Sequence, residues 1–131
     1  MSGGEEVFPQ DLRYTKEHEW VRQNGDTVTC GITSFAQEEL GEIVFVELPK
    51  VGEKFSQNAT LCVVESTKAA SDVYAPVGGV VREVNEVLRN SPETINSDPY
   101  GNGWMVQFEG VSSSEIEGLM TAEQYQAHLQ K

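Results

Sequence analysis

Positive charge is scarce in this chain. Its 131 residues carry 9 Lys and Arg against 21 Asp and Glu, a formal net charge of −12 with a sequence pI near 4.4. Such a surface repels phosphate backbones and anionic bilayers, which argues against nucleic-acid or membrane-surface binding. Its first use is solubility; steering toward basic docking sites on partner proteins is a second. Cysteine is nearly lacking too. Cys30 and Cys62 each sit in an apolar strand-like run, no CxxC motif exists, and His18 and His128 lie far from both. A metal site is therefore not expected. Two buried free thiols in a reducing cytosol are the default, with a disulfide as the alternative. No apolar run approaches the length of a membrane span. The start, Met1 to Glu6, has neither an apolar signal region nor an Arg-rich transit pattern, which points to the cytoplasm. Phosphate-binding glycine loops are missing, since Gly78-Gly79 lacks the remaining pattern. No Ser, His and Asp spacing suggests a triad. His18, between Glu17 and Glu19, reads as a structural histidine rather than an acid–base group.

What is present is strand, turn and glycine. A chain of this length suits one domain, which buries roughly two thirds of its unfolded surface. Twelve glycines, five prolines and many β-branched residues favour a β-rich fold. Residues 1–11 read as a flexible tail and 12–131 as a single domain. Asn24-Gly25 between Trp20–Arg22 and Thr27–Ile32 predicts a hairpin, with alternating Val28, Cys30 and Ile32 on one face. Ser34 with Gln37 three residues on gives a capping-box pattern for a short helix that Gly41 would stop. Ile43–Leu48, Phe55, Leu61–Val64 and Val80–Val84 read as strands. Ser91-Pro92 can open one helical turn. Trp104, Val106 and Phe108 alternate in a last strand. From Ser113 the chain reads as helical, with a second capping box at Thr121 and Gln124. Leu119, Met120, Tyr125 and Leu129 would form an apolar stripe packed on the sheet. Gly41–Glu47 weakly repeats Gly79–Asn85, as two sheets related by an approximate two-fold would require.

The most informative stretch is Val64-Glu65-Ser66-Thr67-Lys68-Ala69-Ala70-Ser71-Asp72-Val73-Tyr74-Ala75-Pro76. An apolar strand runs into a polar turn carrying one lysine, and a second strand leaves it. Small Ala69 and Ala70 leave the lysine stem uncrowded and open to a modifying enzyme. Through Glu65-Ser66, Lys68-Ala69, Ser71-Asp72 and Ala75-Pro76 this run resembles the lipoyl-lysine hairpin of the glycine cleavage system H protein family. Further blocks resemble that family in its own order. They are Tyr14 with His18-Glu19-Trp20-Val21, Gly31–Thr33, Ala36-Gln37 with Leu40–Pro49, and Ile95–Tyr100 with Gly103-Trp104-Met105.

The resemblance implies a mainly β fold, a flattened hybrid barrel of two antiparallel sheets. A short helix would follow strand two, and a helical extension would close the chain. It implies lipoate attached covalently to Lys68 and no catalysis by the chain itself. A glycine decarboxylase (P protein) would load an aminomethyl group onto the arm. An aminomethyltransferase (T protein) would pass the one-carbon unit to tetrahydrofolate, and a dihydrolipoamide dehydrogenase (L protein) would reoxidise the arm. A lipoate ligase or a lipoyl or octanoyl transferase would install it. The carrier is expected to be a monomer. Glu19 and Asp72 match positions the family associates with a cleft for the loaded arm, against a simpler reading as solvated carboxylates on strand ends. The chain departs from the family at Phe35, where relatives often have histidine, and at Glu17, where they have a small polar residue. Phe35 is expected to cover the apolar stem of the arm. Biotin carriers place methionine on both sides of the lysine, whereas here Thr67 and Ala69 flank it. Lipoyl domains of 2-oxoacid dehydrogenases have aspartate before the lysine and a Pro/Ala-rich linker, both missing here. An H-like protein that delivers lipoate to other proteins is the remaining alternative.

Overall fold

The computed structural model describes residues 8–130. Nine strands form two antiparallel sheets. The larger sheet contains β1 (Arg13–Tyr14), β2 (Glu19–Asn24), β3 (Thr27–Ile32), β5 (Lys54–Phe55), β8 (Gly79–Val84) and β9 (Val106–Glu109). Its spatial order is β1-β2-β3-β9-β8-β5. The smaller sheet is β4 (Ile43–Glu47), β6 (Thr60–Ser66) and β7 (Ala70–Tyr74), ordered β4-β6-β7. The expected flattened two-sheet architecture is what the chain adopts. The two copies of the weak repeat fall in different sheets, one on β4 and one on β8.

The β2–β3 hairpin turns at Gly25, whose φ is 64°, and pairs Asn24 with Thr27. Strand pleat then sorts the side chains. Val21, Val28, Cys30 and Ile32 face the smaller sheet and pack with Ile43, Val64 and Val73. Cys30 and Cys62 are both buried and free. The opposite face of β2 carries Trp20, fully buried in a second apolar cluster with Phe8, Leu12, Tyr14, Ala122 and Tyr125. Of the expected flexible tail, residues 1–7 lie outside the described residues. From Phe8 onward the tail reading is corrected. Phe8 is buried and meets Tyr125 edge-on at 4.9 Å, because an apolar ring gains more against this cluster than in water.

Helix α1 (Ser34–Leu40) follows β3, and its stop at Gly41 (φ 85°) is as read from the sequence. Its cap is Thr33, not Ser34: the Thr33 hydroxyl accepts from Ala36 N–H at 3.1 Å. Ser34 instead engages the Tyr100 hydroxyl. Two single turns, α2 (Val87–Asn90) and α3 (Thr94–Ser97), precede β9. The sequence indicated only the second of them, and the expected start at Pro92 lies just before it. The helical tail is two pieces, α4 (Ser113–Glu117) and α5 (Ala122–Leu129), and the Thr121–Gln124 capping box is formed. Between them Met120 exchanges backbone hydrogen bonds with Tyr14, 2.9 and 2.8 Å. This splits the expected stripe. Leu119 packs on the inter-sheet core, while Met120, Tyr125 and Leu129 join the second cluster.

Gly31 lies opposite Trp20 in the hairpin. A Cβ there would stand 3.0 Å from three atoms of the indole. The indole is fixed, since its N–H donates to Pro99 O at 3.0 Å. Gly31→Ala should therefore lower stability by about 1–3 kcal/mol, the usual cost of overpacking. A denaturant titration reads this, and an unchanged midpoint would show that the ring can yield.

Candidate functional site

Lys68 stands on the turn between β6 and β7, exposed to solvent. The turn is built by Ser66. Its hydroxyl oxygen accepts from Lys68 N–H at 3.1 Å and from Ala69 N–H at 3.2 Å, the local side-chain pairing that makes serine a turn former. Thr67 N–H donates to Glu42 O at 3.0 Å, tying the turn to the segment entering β4. The lysine stem lies over the C-terminal end of α1. A Cβ on Gly41 would stand 3.3 Å from Lys68 Cε, and the ammonium reaches Glu39 O at 3.5 Å. That carbonyl belongs to the last turn of α1, where backbone acceptors lack helical donors.

Asn96, on α3, holds this corner together. Its carbonyl oxygen accepts from Ile43 N–H at 2.9 Å, and its amide donates to Gln37 Oε1 at 2.8 Å and Gly41 O at 2.9 Å. One side chain thus joins the end of α1 to the start of β4. The family blocks contain Asn96, but no local pattern marks it as a clamp. Its partners lie 53 to 59 residues away in sequence.

Beside the lysine turn, between α1, β7 and the start of β2, opens a cleft of about 490 Å³. Glu19, Phe35 and Asp72 all line it, so the structure brings together the three residues singled out besides the lysine. Ile32, Leu40 and Val73 supply apolar wall, and Glu17 and Glu39 add carboxylates. Asp72 and Glu17 are exposed, as rim charges should be. Lys68 itself does not line the cleft; its turn abuts the wall at Ala70.

Glu19 differs from the solvated strand-end carboxylate that was the simpler expectation. It shares the inner face of β2 with Val21 and is 3% exposed. Its carboxylate accepts from the Thr15 hydroxyl and from Tyr74 N–H, so it ties the larger sheet to β7. Burial pushes its pKa up to about 7, against the opposing pull of those two hydrogen bonds. His18 is half-buried, with φ at 74°, and closes the turn that Thr15 begins. Its Nδ1 lies 2.7 Å from the Tyr125 hydroxyl, and that hydroxyl lies 2.9 Å from Thr33 Oγ1. Its ring centroid is 4.8 Å from that of Phe35. Burial, and then His128, hold the imidazole pKa below its ordinary value; Glu17 and Glu39 oppose this.

Among the described residues no cluster of His, Cys, Asp and Glu could hold a metal ion. No helix there is long and apolar enough to cross a membrane. The arrangement offers instead an exposed lysine amine on a hydrogen-bonded turn, beside a cleft with apolar walls and carboxylates. Its volume is in the range that small ligands occupy. A flexible apolar arm on Lys68 ending in a cationic head would fit this donor set.

Residues 12–131 match the family model described as glycine cleavage H-protein. The glycine cleavage system H protein of Alteromonas mediterranea is 56% identical over 120 residues, covering 91% of this chain and 93% of that protein. That of Halothermothrix orenii is 50% identical over 123 residues, covering 94% and 96%. The crystal structure of a glycine cleavage system H protein from Mycobacterium marinum superposes with a TM-score of 0.85 at 40% identity, covering 95% of this chain and all of that one.

Proposed function

Since the chain belongs to the glycine cleavage H-protein family, we propose that Lys68 is its lipoyl-attachment site and that residues 12–131 form one carrier unit without catalytic groups of its own. The observation that carries this reading is the turn. Ser66 fixes the backbone on both sides of Lys68, while the side chain itself stays exposed among small neighbours. A modifying enzyme thus meets a presented amine on a fixed platform. Lipoate bound there would supply a dithiolane that accepts a group at sulfur and is reset by thiol–disulfide exchange. Tethering raises the local concentration of such a group at every docked active site.

The chain's own residues then bind and shield. Ile32, Leu40, Phe35 and Val73 give an apolar lining for a hydrocarbon stem and keep water from it. Glu19 and Asp72 face a cationic head with carboxylates, a charge-assisted contact. Phe35 covers the stem where relatives could make a polar contact. The partners in this reading are the decarboxylase, aminomethyltransferase and dihydrolipoamide dehydrogenase of glycine cleavage, together with a lipoate ligase or transferase. The carrier works as a monomer in the cytoplasm, a setting in which the free, buried Cys30 and Cys62 remain reduced.

Incubation with a lipoate ligase, followed by peptide mass mapping, should show one modified site, Lys68. Lys16, Lys50, Lys54 and Lys131 should stay unmodified. Lys68→Arg should carry no lipoate and keep its stability within about 0.5 kcal/mol, as a surface change does. Modification persisting in that variant would overturn the assignment.

A further inference from the structure

A polar chain runs from α5 to His18, which lines the cleft, and has no part in the reading above. Tyr125 is fully buried on α5, stacked on Tyr14 at 4.9 Å with an interplanar angle of 4°. Packing thus fixes its ring, and its hydroxyl stands 2.7 Å from His18 Nδ1 and 2.9 Å from Thr33 Oγ1. Thr33 Oγ1 already accepts the Ala36 N–H as the cap of α1. Its own proton is then free to point at the Tyr125 oxygen, and the Tyr125 proton at Nδ1. His18 and α1 together make one wall of the cleft.

We propose that Tyr125 is a positioning residue for the cleft, whose hydroxyl donates to His18 Nδ1 and holds that ring as the neutral Nε2–H tautomer beside Phe35. The physical use is electrostatic. A cleft meant for a cationic head must not present an imidazolium in its own wall. One loop residue and two helices bring titratable groups to His18. Glu17 precedes it, Glu39 comes from α1, and His128 comes from α5 with ring centroids 6.3 Å apart. Glu19 and Asp72 share the cleft with it. Glu17 and Glu39 favour the imidazolium, while burial and His128 favour the neutral ring. A donor fixed on Nδ1 adds to the neutral side, because protonation at that nitrogen would force the tyrosine to turn its proton away. The consequence for arm retention rests on the carrier reading; the tautomer does not.

The test is ¹⁵N NMR of the imidazoles across a pH titration, on the full unmodified chain. In the wild type, His18 Nδ1 should show the shift of an unprotonated nitrogen and Nε2 that of an N–H, down to a midpoint below the ordinary imidazole value. Tyr125→Phe keeps the stacked ring and removes the donor. It should give mixed tautomers and an upward move of the His18 midpoint. On the lipoylated and loaded protein, that variant should release the one-carbon unit several-fold faster near pH 6 and little faster near pH 8. A protonated Nδ1 in the wild type overturns the proposal even if the variant fails to fold, and so does an unmoved midpoint in a folded variant. A shifted tautomer with no lipoate on Lys68 would keep this inference and sink the carrier reading instead.

Discussion

Replacing Glu19 by glutamine should make the protein more stable than wild type at pH 8 and leave the two alike near pH 5. The sign follows from linkage. The folded-state pKa, about 7, lies above the ordinary carboxyl value of 4.5. Between those values the folded chain binds a proton that the unfolded chain has already lost. Stability contributed by this group is therefore full below about pH 4.5 and is lost as pH rises through 7. The shift corresponds to a loss of about 3 kcal/mol at most. Glutamine keeps an acceptor for Tyr74 N–H and carries no charge to desolvate. Urea titrations of both proteins across this range read the difference. Parallel pH profiles would show that the buried carboxylate costs nothing, and its role would be only that of a tie between sheets. A burial cost of this size at an otherwise apolar face makes sense if a cation comes to lie there. A positive charge nearby draws the pKa down again, so a cationic head held there and an ionised Glu19 would stabilise one another. The strongest hold on such a head would then come above pH 7, where the empty protein has lost the contribution of protonated Glu19.

Asn96→Ala should destabilise the fold by about 2–4 kcal/mol, a larger effect than any single rim carboxylate would have. The substitution removes one acceptor and two donor contacts at once. It leaves the Ile43 amide and the Gly41 carbonyl without their partner, and unmatched buried backbone groups cost more than a hydrogen bond gains. Ile43 is 1% exposed, so water repairs this end poorly. The functional effect follows from position. Gly41 lies against the Lys68 stem, and Glu42 O holds the turn through Thr67. A frayed corner should slow modification of Lys68 by a ligase even in molecules that remain folded. Denaturant titration and the rate of lipoylation are the two readouts. A fall in stability with an unchanged modification rate would separate the clamp from the turn.

The sequence by itself determined the elements whose signals are local. Asn24-Gly25 set the β2–β3 hairpin because glycine accepts a positive φ. Val28, Cys30 and Ile32 declared their shared face through a period of two. Thr121 and Gln124 declared a capping box that satisfies donors on the same turn. Lys68 stood out because its strand, turn and small neighbours are contiguous, and the family blocks extended that reading to the two-sheet architecture. The sequence also nominated Glu19, Phe35 and Asp72, but only by resemblance.

Tertiary structure decided what their surroundings would be. Glu19 opens β2 and Asp72 sits mid-way along β7, yet it is Glu19 that is buried and Asp72 that is exposed. The difference comes from which face of which strand the packing of two sheets closes over. Thr33 displaced Ser34 as the cap because Tyr100, far along the chain, claims the serine. Phe8 left the expected tail because a ring cluster assembled from both ends of the chain was waiting for it. The clamp made by Asn96 and the polar contacts of Tyr125 left no sequence signal for the same physical reason. Their hydrogen bonds join segments 53 to 107 residues apart, and a donor and acceptor that meet only through folding leave no spacing to read.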